Sequence, residues 1–359
     1  MTSQPIRVLV VDDSPTVRRH IAQVIEQAGG FELAGEAENG QLAFTLCQRL
    51  RPDVITMDMV MPDMDGLAAT EQIMAHCPTP ILVVSSSMNR GEVFQTYEAL
   101  AAGAVDVLDK VSENDSATWS QRLLSALRVV SKVRVITHPR GRLGSMGKVN
   151  GLAGPSLPPL TAGDKRCQLL ALGGSTGGPG AVVEILRGLP PGLDVPLLLV
   201  LHISEPFGKN LAEWLDSQST YPVRYPVDGE PLAQARGVLM APPGQHLLLR
   251  QGRLRLTEEP ERHSCRPSVD VLFESLAREV GDRTCAGLLT GMGRDGAVGL
   301  LALRRAGAIT IAQDEASSVV YGMPREAAML DAAGLILPLG EIAVALARAV
   351  RGPGEGRHR

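Results

Sequence analysis

Aromatic residues are scarce: Phe, Trp and Tyr fill 11 of 359 positions, 3% of the chain. That argues against platforms that stack single-stranded bases on exposed rings, and it leaves the cores to aliphatic side chains and Met. An excess of basic charge is missing too. Lys and Arg number 35 against 39 Asp and Glu, a formal charge of -4, so no global positive field holds the chain on nucleic acid or anionic lipid. The five cysteines, Cys47, Cys77, Cys167, Cys265 and Cys285, form no CxxC pair. They read as small buried apolar residues in a reducing compartment, with no disulfide framework or zinc ribbon. Apolar runs such as Val195 to Leu201, broken by Pro196, fall far short of the ~18 to 20 residues of a membrane span. Asp12 and Asp13 interrupt the apolar stretch Val8 to Val11, so no signal-peptide core is expected. The expectation is a cytoplasmic protein with no membrane insertion and no nucleic-acid partner.

What the chain does have is the balance of a globular protein, 44% hydrophobic and 21% charged residues. At ~150 residues per domain its length suits two domains. Residues 138 to 163 hold six Gly and four Pro without sustained periodicity, the composition of a linker. The sequence thus predicts a first domain over 1–130, a flexible linker over 131–166, a second domain over 167–351 and a short tail over 352–359.

Both domains read as α/β. Strand candidates at Val8 to Val11, Phe31 to Glu36, Val54 to Met57, Ile81 to Val84 and Val105 to Leu108 alternate with helical patterns, which predicts a doubly wound parallel sheet. After the linker the alternation resumes at Leu169 to Leu172, Leu197 to Leu201, Gly237 to Ala241, Ala286 to Thr290 and Ala308 to Ala312.

Ligands of such sheets gather beyond the carboxyl ends of the strands. Asp12 and Asp13 follow the first strand candidate, Asp58 the third, Ser85 the fourth and Lys110 the fifth. Three converging carboxylates suit Mg²⁺, and a lysine and a hydroxyl beside them suit the oxygens of a phosphoryl group. The chemistry suggested is phosphoryl transfer onto Asp58. The motifs VLVVDDS (8 to 14), DMVMPDMDG (58 to 66), VVSS (83 to 86) and Asp109-Lys110 make this region similar to the receiver domain of two-component response regulators. The resemblance implies Asp58 as phosphoacceptor, Asp12, Asp13, Asp58 and the Val60 carbonyl as metal ligands, Ser85 and Lys110 as phosphate contacts, and a histidine kinase as phosphodonor. Val107 stands where the family usually carries an aromatic residue that rotates inward on phosphorylation, and Val111 where a Pro usually follows the lysine.

In the second domain, LLALGGSTGGPGAVVEILRGL (169 to 189) reads as strand, glycine-rich turn and helix, with Ser175 in the turn. A serine held there is accessible, and helix N-terminal amides lie nearby for an oxyanion. Phosphate cradling is the competing reading of the glycines, although no Lys occurs between Arg166 and Lys209 for a Walker loop and. A nucleophilic serine needs a base and an orienting carboxylate. His202 follows an apolar strand run and falls at the same sheet edge as Ser175, whereas His246 precedes such a run and His263 sits in a polar loop. Asp295 is the acid of the turn GLLTGMGRDGA (287 to 297), and Asp270 reads better as a helix-start acid and.

The stretches GGSTGG (173 to 178), RPSVDVLF (266 to 273), TGMGRDGA (290 to 297) and GMPREA (322 to 327) resemble those of the chemotaxis protein-glutamate methylesterase (CheB) family. The resemblance implies Ser175 as nucleophile, His202 as base, Asp295 as its orienting acid, and Thr176 and Met292 as oxyanion or substrate contacts, with no cofactor at this site. It further implies demethylation of methyl-glutamate in methyl-accepting chemoreceptors, deamidation of receptor glutamines, and control by phosphorylation. A non-enzymatic signalling adaptor is the rival reading.

Overall fold

The computed structural model describes residues 4–86, 90–110, 116–133, 135, 166–203 and 205–351. The chain divides into two compact units, Met1–Gly151 and Leu152–Arg359. Most of the stretch read as linker, the tail, and Val111 lie outside the described residues.

The first unit runs β1 (Ile6–Val11), α1 (Pro15–Gln27), β2 (Phe31–Ala37), α2 (Gly40–Leu50), β3 (Val54–Met57), α3 (Gly66–His76), β4 (Ile81–Ser85), α4 (Arg90–Ala101), β5 (Asp106–Asp109) and α5 (Ser116–Val130). Its five strands lie in the order β2-β1-β3-β4-β5 and all pair in parallel, the doubly wound arrangement expected. Local chemistry starts the helices. Ser14 caps α1 with Pro15 in its first turn, and Asp65 caps α3 by accepting from the Ala68 amide at 2.8 Å and. Strands β3 and β4 are buried along their whole length, as befits a sheet covered on both faces.

The second unit runs β6 (Leu169–Gly174), α6 (Gly178–Gly188), β7 (Leu197–Leu201), α7 (Glu205–Gly208), α8 (Leu211–Gln218), β8 (Val223–Arg224), β9 (Val238–Met240), β10 (His246–Arg250), β11 (Arg253–Thr257), α9 (Val269–Glu279), β12 (Thr284–Leu288), α10 (Ala297–Arg305), β13 (Ile309–Gln313), α11 (Met323–Met329), β14 (Leu335–Leu337) and α12 (Leu339–Arg351). Seven parallel strands form one sheet in the order β14-β13-β12-β6-β7-β9-β8. The antiparallel hairpin β10-β11 stands apart from it and adds to the purely parallel domain that the sequence predicts.

Strand β6 is the switch point of this sheet. The chain leaves it on one side for β7 and later returns on the other side as β12, which opens a crevice beyond the carboxyl ends of these three strands. Leu198, Val200, Leu239, Val269, Leu272, Phe273 and Leu288 belong to the buried core beneath it. That core is overwhelmingly aliphatic, as the shortage of rings requires.

Candidate active site

Register places the candidate residues. Gly174 pairs with Leu201 across β6 and β7, so Ser175 and His202 are the first residues beyond two neighbouring strand ends. The His202 amide donates to the Gly174 carbonyl at 3.0 Å, and the Ser175 amide to the Thr290 carbonyl at 3.0 Å. The turn after β12, which carries Asp295, is thereby laced to the serine turn. Gly291 is needed for that approach, since a Cβ there would lie 2.7 Å from the Ser175 Cβ and 2.4 Å from the Met323 sulfur.

His202 Nε2 and Asp295 Oδ2 are 2.9 Å apart. Asp295 also accepts from the Ser268 hydroxyl at 2.8 Å, the Val269 amide at 2.7 Å and the Asp270 amide at 3.1 Å. It is therefore the anion at the N-terminus of α9, where unpaired amides and the helix dipole favour negative charge. Burial works to raise the Asp295 carboxyl pKa, but the bonds from His202, Ser268 and Val269 outweigh it and hold the pKa below the usual 3.8 and. Burial disfavours the charged His202 ring; Asp295 and Cys265 overcome that and push its pKa up to about 9.

Among the described residues no hydrogen bond joins the Ser175 hydroxyl to His202. The serine is half-buried at the head of α6, whose first turn holds Pro179. Thr176 is buried, and its carbonyl accepts from the Thr290 hydroxyl at 3.0 Å. Met292 is 53% exposed and lines a cavity of about 580 Å³ together with His202, His263, Cys265, Asp295 and Glu326.

The first unit gathers its acids as the strand ends require. Lys110 Nζ lies 3.0 Å from Asp12 Oδ2 and 2.9 Å from Asp58 Oδ2. Oxygens of Asp12, Asp13 and Asp58 all fall within 4.8 Å of one another. Burial pushes the Asp58 carboxyl up to about 6; Lys110 opposes that rise and Asp12 reinforces it. The Lys110 ammonium loses by burial, yet Asp58 and Asp12 more than compensate and raise its pKa above 10.5. Ser85 is fully buried, and among the described residues its hydroxyl has no hydrogen-bond partner. Val60 lies two residues beyond Asp58 in the loop before α3. Val107 is buried in β5, paired in register with Val83.

Two family models match the chain: the response regulator receiver domain over residues 8–118 and CheB methylesterase over residues 170–346. A protein-glutamate methylesterase/protein-glutamine glutaminase of Anaeromyxobacter dehalogenans is 43% identical over 97% of this chain and 98% of its own. The chain belongs to the CheB methylesterase family. A Myxococcus xanthus relative with the same description is 39% identical over 99% of both chains. The crystal structure of the Thermotoga maritima CheB catalytic domain is similar at 32% identity, covering 51% of this chain and 98% of that one, with a TM-score of 0.48.

Within this family member, three side chains at the site go beyond what the sequence predicts. Cys265 departs from the expectation set for all five cysteines. Four of them are buried, whereas Cys265 is partly exposed, with Sγ 3.7 Å from His202 Nδ1. His263, read as a residue of a polar loop, reaches Asp270 Oδ2 through Nε2 at 3.1 Å. Asp270 does lie in the first turn of α9, as a helix-start acid should, but it is fully buried and also accepts from the Gly299 amide at 2.6 Å. Burial is the chief reason its pKa is raised. His246 serves the scaffold: its Nδ1 accepts from the Ser268 amide at 3.1 Å and its Nε2 faces the Pro260 carbonyl at 3.2 Å. The glycine-flanked motif signals Ser175 directly. No local signal marks Cys265, whose neighbour His202 is 63 residues away.

Proposed function

We propose that this chain is a phosphorylation-regulated protein-glutamate methylesterase acting on the methyl-glutamate side chains of chemoreceptors, with Ser175, His202 and Asp295 as its catalytic residues. The observation that carries the reading is the His202–Asp295 hydrogen bond at 2.9 Å, beside the strand end that presents Ser175. Because Asp295 engages Nε2, the proton of the Ser175 hydroxyl goes to Nδ1. The alkoxide attacks the γ-ester carbonyl, and negative charge collects on its oxygen near Thr176 and the first turn of α6. His202 then protonates the departing methoxide, which leaves as methanol. Water, deprotonated by the same ring, hydrolyses the acyl-enzyme and restores Ser175. Met292 contacts the substrate in the cavity. A glutamine side-chain amide fits the same sequence of steps, with ammonia as the leaving group, and this reading needs no cofactor at the esterase site.

The other half of the reading is a receiver over residues 1–130 that takes a phosphoryl group on Asp58 from a histidine kinase. A linker over 131–166 joins it to the catalytic domain over 167–351, with a tail over 352–359, in a cytoplasmic chain. The carboxylates of Asp12, Asp13 and Asp58 lie within 4.8 Å of one another, and with the Val60 carbonyl they would make an all-oxygen donor set that fits Mg²⁺. A Mg²⁺ held there would screen negative charge on the phosphoryl oxygens and the carboxylates. Lys110 is placed to pair with one phosphoryl oxygen, and the unpartnered Ser85 hydroxyl to donate to another.

The test is methanol release from methylated receptor, with and without a small acyl-phosphate donor. Release that depends on Ser175 and rises with the donor supports the reading. No release under either condition overturns it in favour of an adaptor.

A further inference from the structure

The cavity contains a pair of groups that ester hydrolysis does not use together. His202 Nδ1 and Cys265 Sγ are 3.7 Å apart, and one donor atom each from His202, Cys265 and Asp295 lies within 4.8 Å of the other two. Zinc binds thiolate at about 2.3 Å and imidazole at about 2.05 Å, so a tetrahedral ion holds the two donor atoms about 3.6 Å apart. The observed 3.7 Å spacing matches that donor–donor distance. The opposite ring nitrogen of His202 is already bonded to the Asp295 carboxylate, and metal-ligating histidines are characteristically oriented through just such a bond. Both side chains line an open cavity that supplies access for an ion, and His263 and Glu326 line the same cavity.

We infer that His202 Nδ1 and Cys265 Sγ form a binding site for a thiophilic divalent metal ion, zinc by preference, and that the ion silences the esterase by occupying its base. The inhibitory part rests on the proposed role of His202; the binding part does not. On binding, the thiol proton and any proton on Nδ1 pass to solvent, sulfur and Nδ1 donate lone pairs to the ion, and Nδ1 can no longer accept the Ser175 proton. Mixed sulfur and imidazole donors favour zinc, cobalt or copper over magnesium. The ion at this site is thereby distinguished from the one suited to the acidic cluster around Asp58.

Cobalt is the probe. Metal-free full-length protein titrated with Co²⁺ is expected to develop a near-ultraviolet thiolate-to-cobalt band that Zn²⁺ abolishes. The band should persist in Ser175→Ala and vanish in Cys265→Ser. In the wild-type protein, Zn²⁺ should shield Cys265 from iodoacetamide, read by mass spectrometry of the peptide carrying it, a measurement that needs no variant. Zinc should also inhibit methanol release, with the half-inhibitory concentration rising roughly tenfold or more in Cys265→Ser. Absence of the band in wild type, an identical band in Cys265→Ser, or alkylation of Cys265 unaffected by zinc overturns the site. A band and protection without inhibition overturn only the inhibitory part. Methanol release retained in Ser175→Ala sinks the esterase reading, while the cobalt band still tests the metal site.

Discussion

Asp295 Oδ2 lies 2.9 Å from His202 Nε2, which gives the two ring nitrogens different duties. With the carboxylate accepting, Nε2 carries the proton, and in the proposed mechanism Nδ1 is left as the base. Asp295→Asn presents an amide donor to Nε2 and favours the tautomer protonated on Nδ1. Its turnover of methylated receptor should fall by about three to four orders of magnitude, and Ser175→Ala should abolish methanol release. A loss below tenfold in Asp295→Asn would show that the ring is oriented by something else.

The pH profile of kcat/KM should carry the His202 ionisation. Burial favours the neutral ring, but the Asp295 hydrogen bond and Cys265 raise its pKa to about 9. With the neutral ring as the proposed base, the rate should climb by about tenfold per pH unit until it levels off near that pKa. Stability runs the other way. A histidine whose folded pKa lies above its unfolded value near 6.5 stabilises the fold fully below that value, and the contribution disappears as pH rises through about 9 and. Rates and urea midpoints measured in chelator-treated buffer should therefore diverge between about pH 7 and 9; a flat rate profile there contradicts the assignment of the base.

Asp58→Asn should take up no phosphoryl group from a small acyl-phosphate donor, and a chelator should block labelling of the wild type. The methanol-release rate of full-length Asp58→Asn should then be the same with and without donor. Donor-dependent activation in that variant would place the regulatory phosphoryl group elsewhere.

Removal of the receiver, leaving residues 165–359, should raise the basal rate and make it indifferent to donor, as expected if the unphosphorylated receiver restrains the esterase. An equal or lower basal rate measured by methanol release argues against that restraint.

Gly173→Ala should harm catalysis without touching a reacting group. Its Cβ would meet Val269 Cγ1 at 2.3 Å, and the Val269 amide is one of the donors holding Asp295. Overpacking of this kind costs about 1 to 3 kcal/mol, so we expect a lower melting temperature and a kcat that falls more than KM changes. Gly29→Ala, where a Cβ meets nothing within 4 Å, is the control and should leave both near wild type.

The sequence displayed most of this scaffold because buried parallel strands write themselves as short apolar runs. Val54 to Met57 and Leu197 to Leu201 match β3 and β7 residue for residue, and the strand ends then place Asp58 and His202. The β10-β11 hairpin escaped because β10 holds the unbroken run Leu247 to Leu249 without alternation, although β11 alternates Arg and Leu over Arg253 to Leu256. Its turn was nonetheless readable: Gln251 and Gly252 both have positive φ, 52° and 70°, and two-residue hairpin turns of that kind favour glycine. Cys265 and Asp270 were hidden for a different reason. Residue type suggests an average environment, whereas their contacts with His202 and His263 depend on where a cis-proline loop and a helix start come to rest.

Asp295 serves α9 as well as His202. Its oxygens accept the Val269 and Asp270 amides, so those two backbone hydrogens register the condition of the proposed base. Any excursion that swings Asp295 away from His202 also uncovers them to solvent. Their hydrogen-exchange rates therefore gauge how often the working constellation comes apart, in a protein at rest and without any substrate.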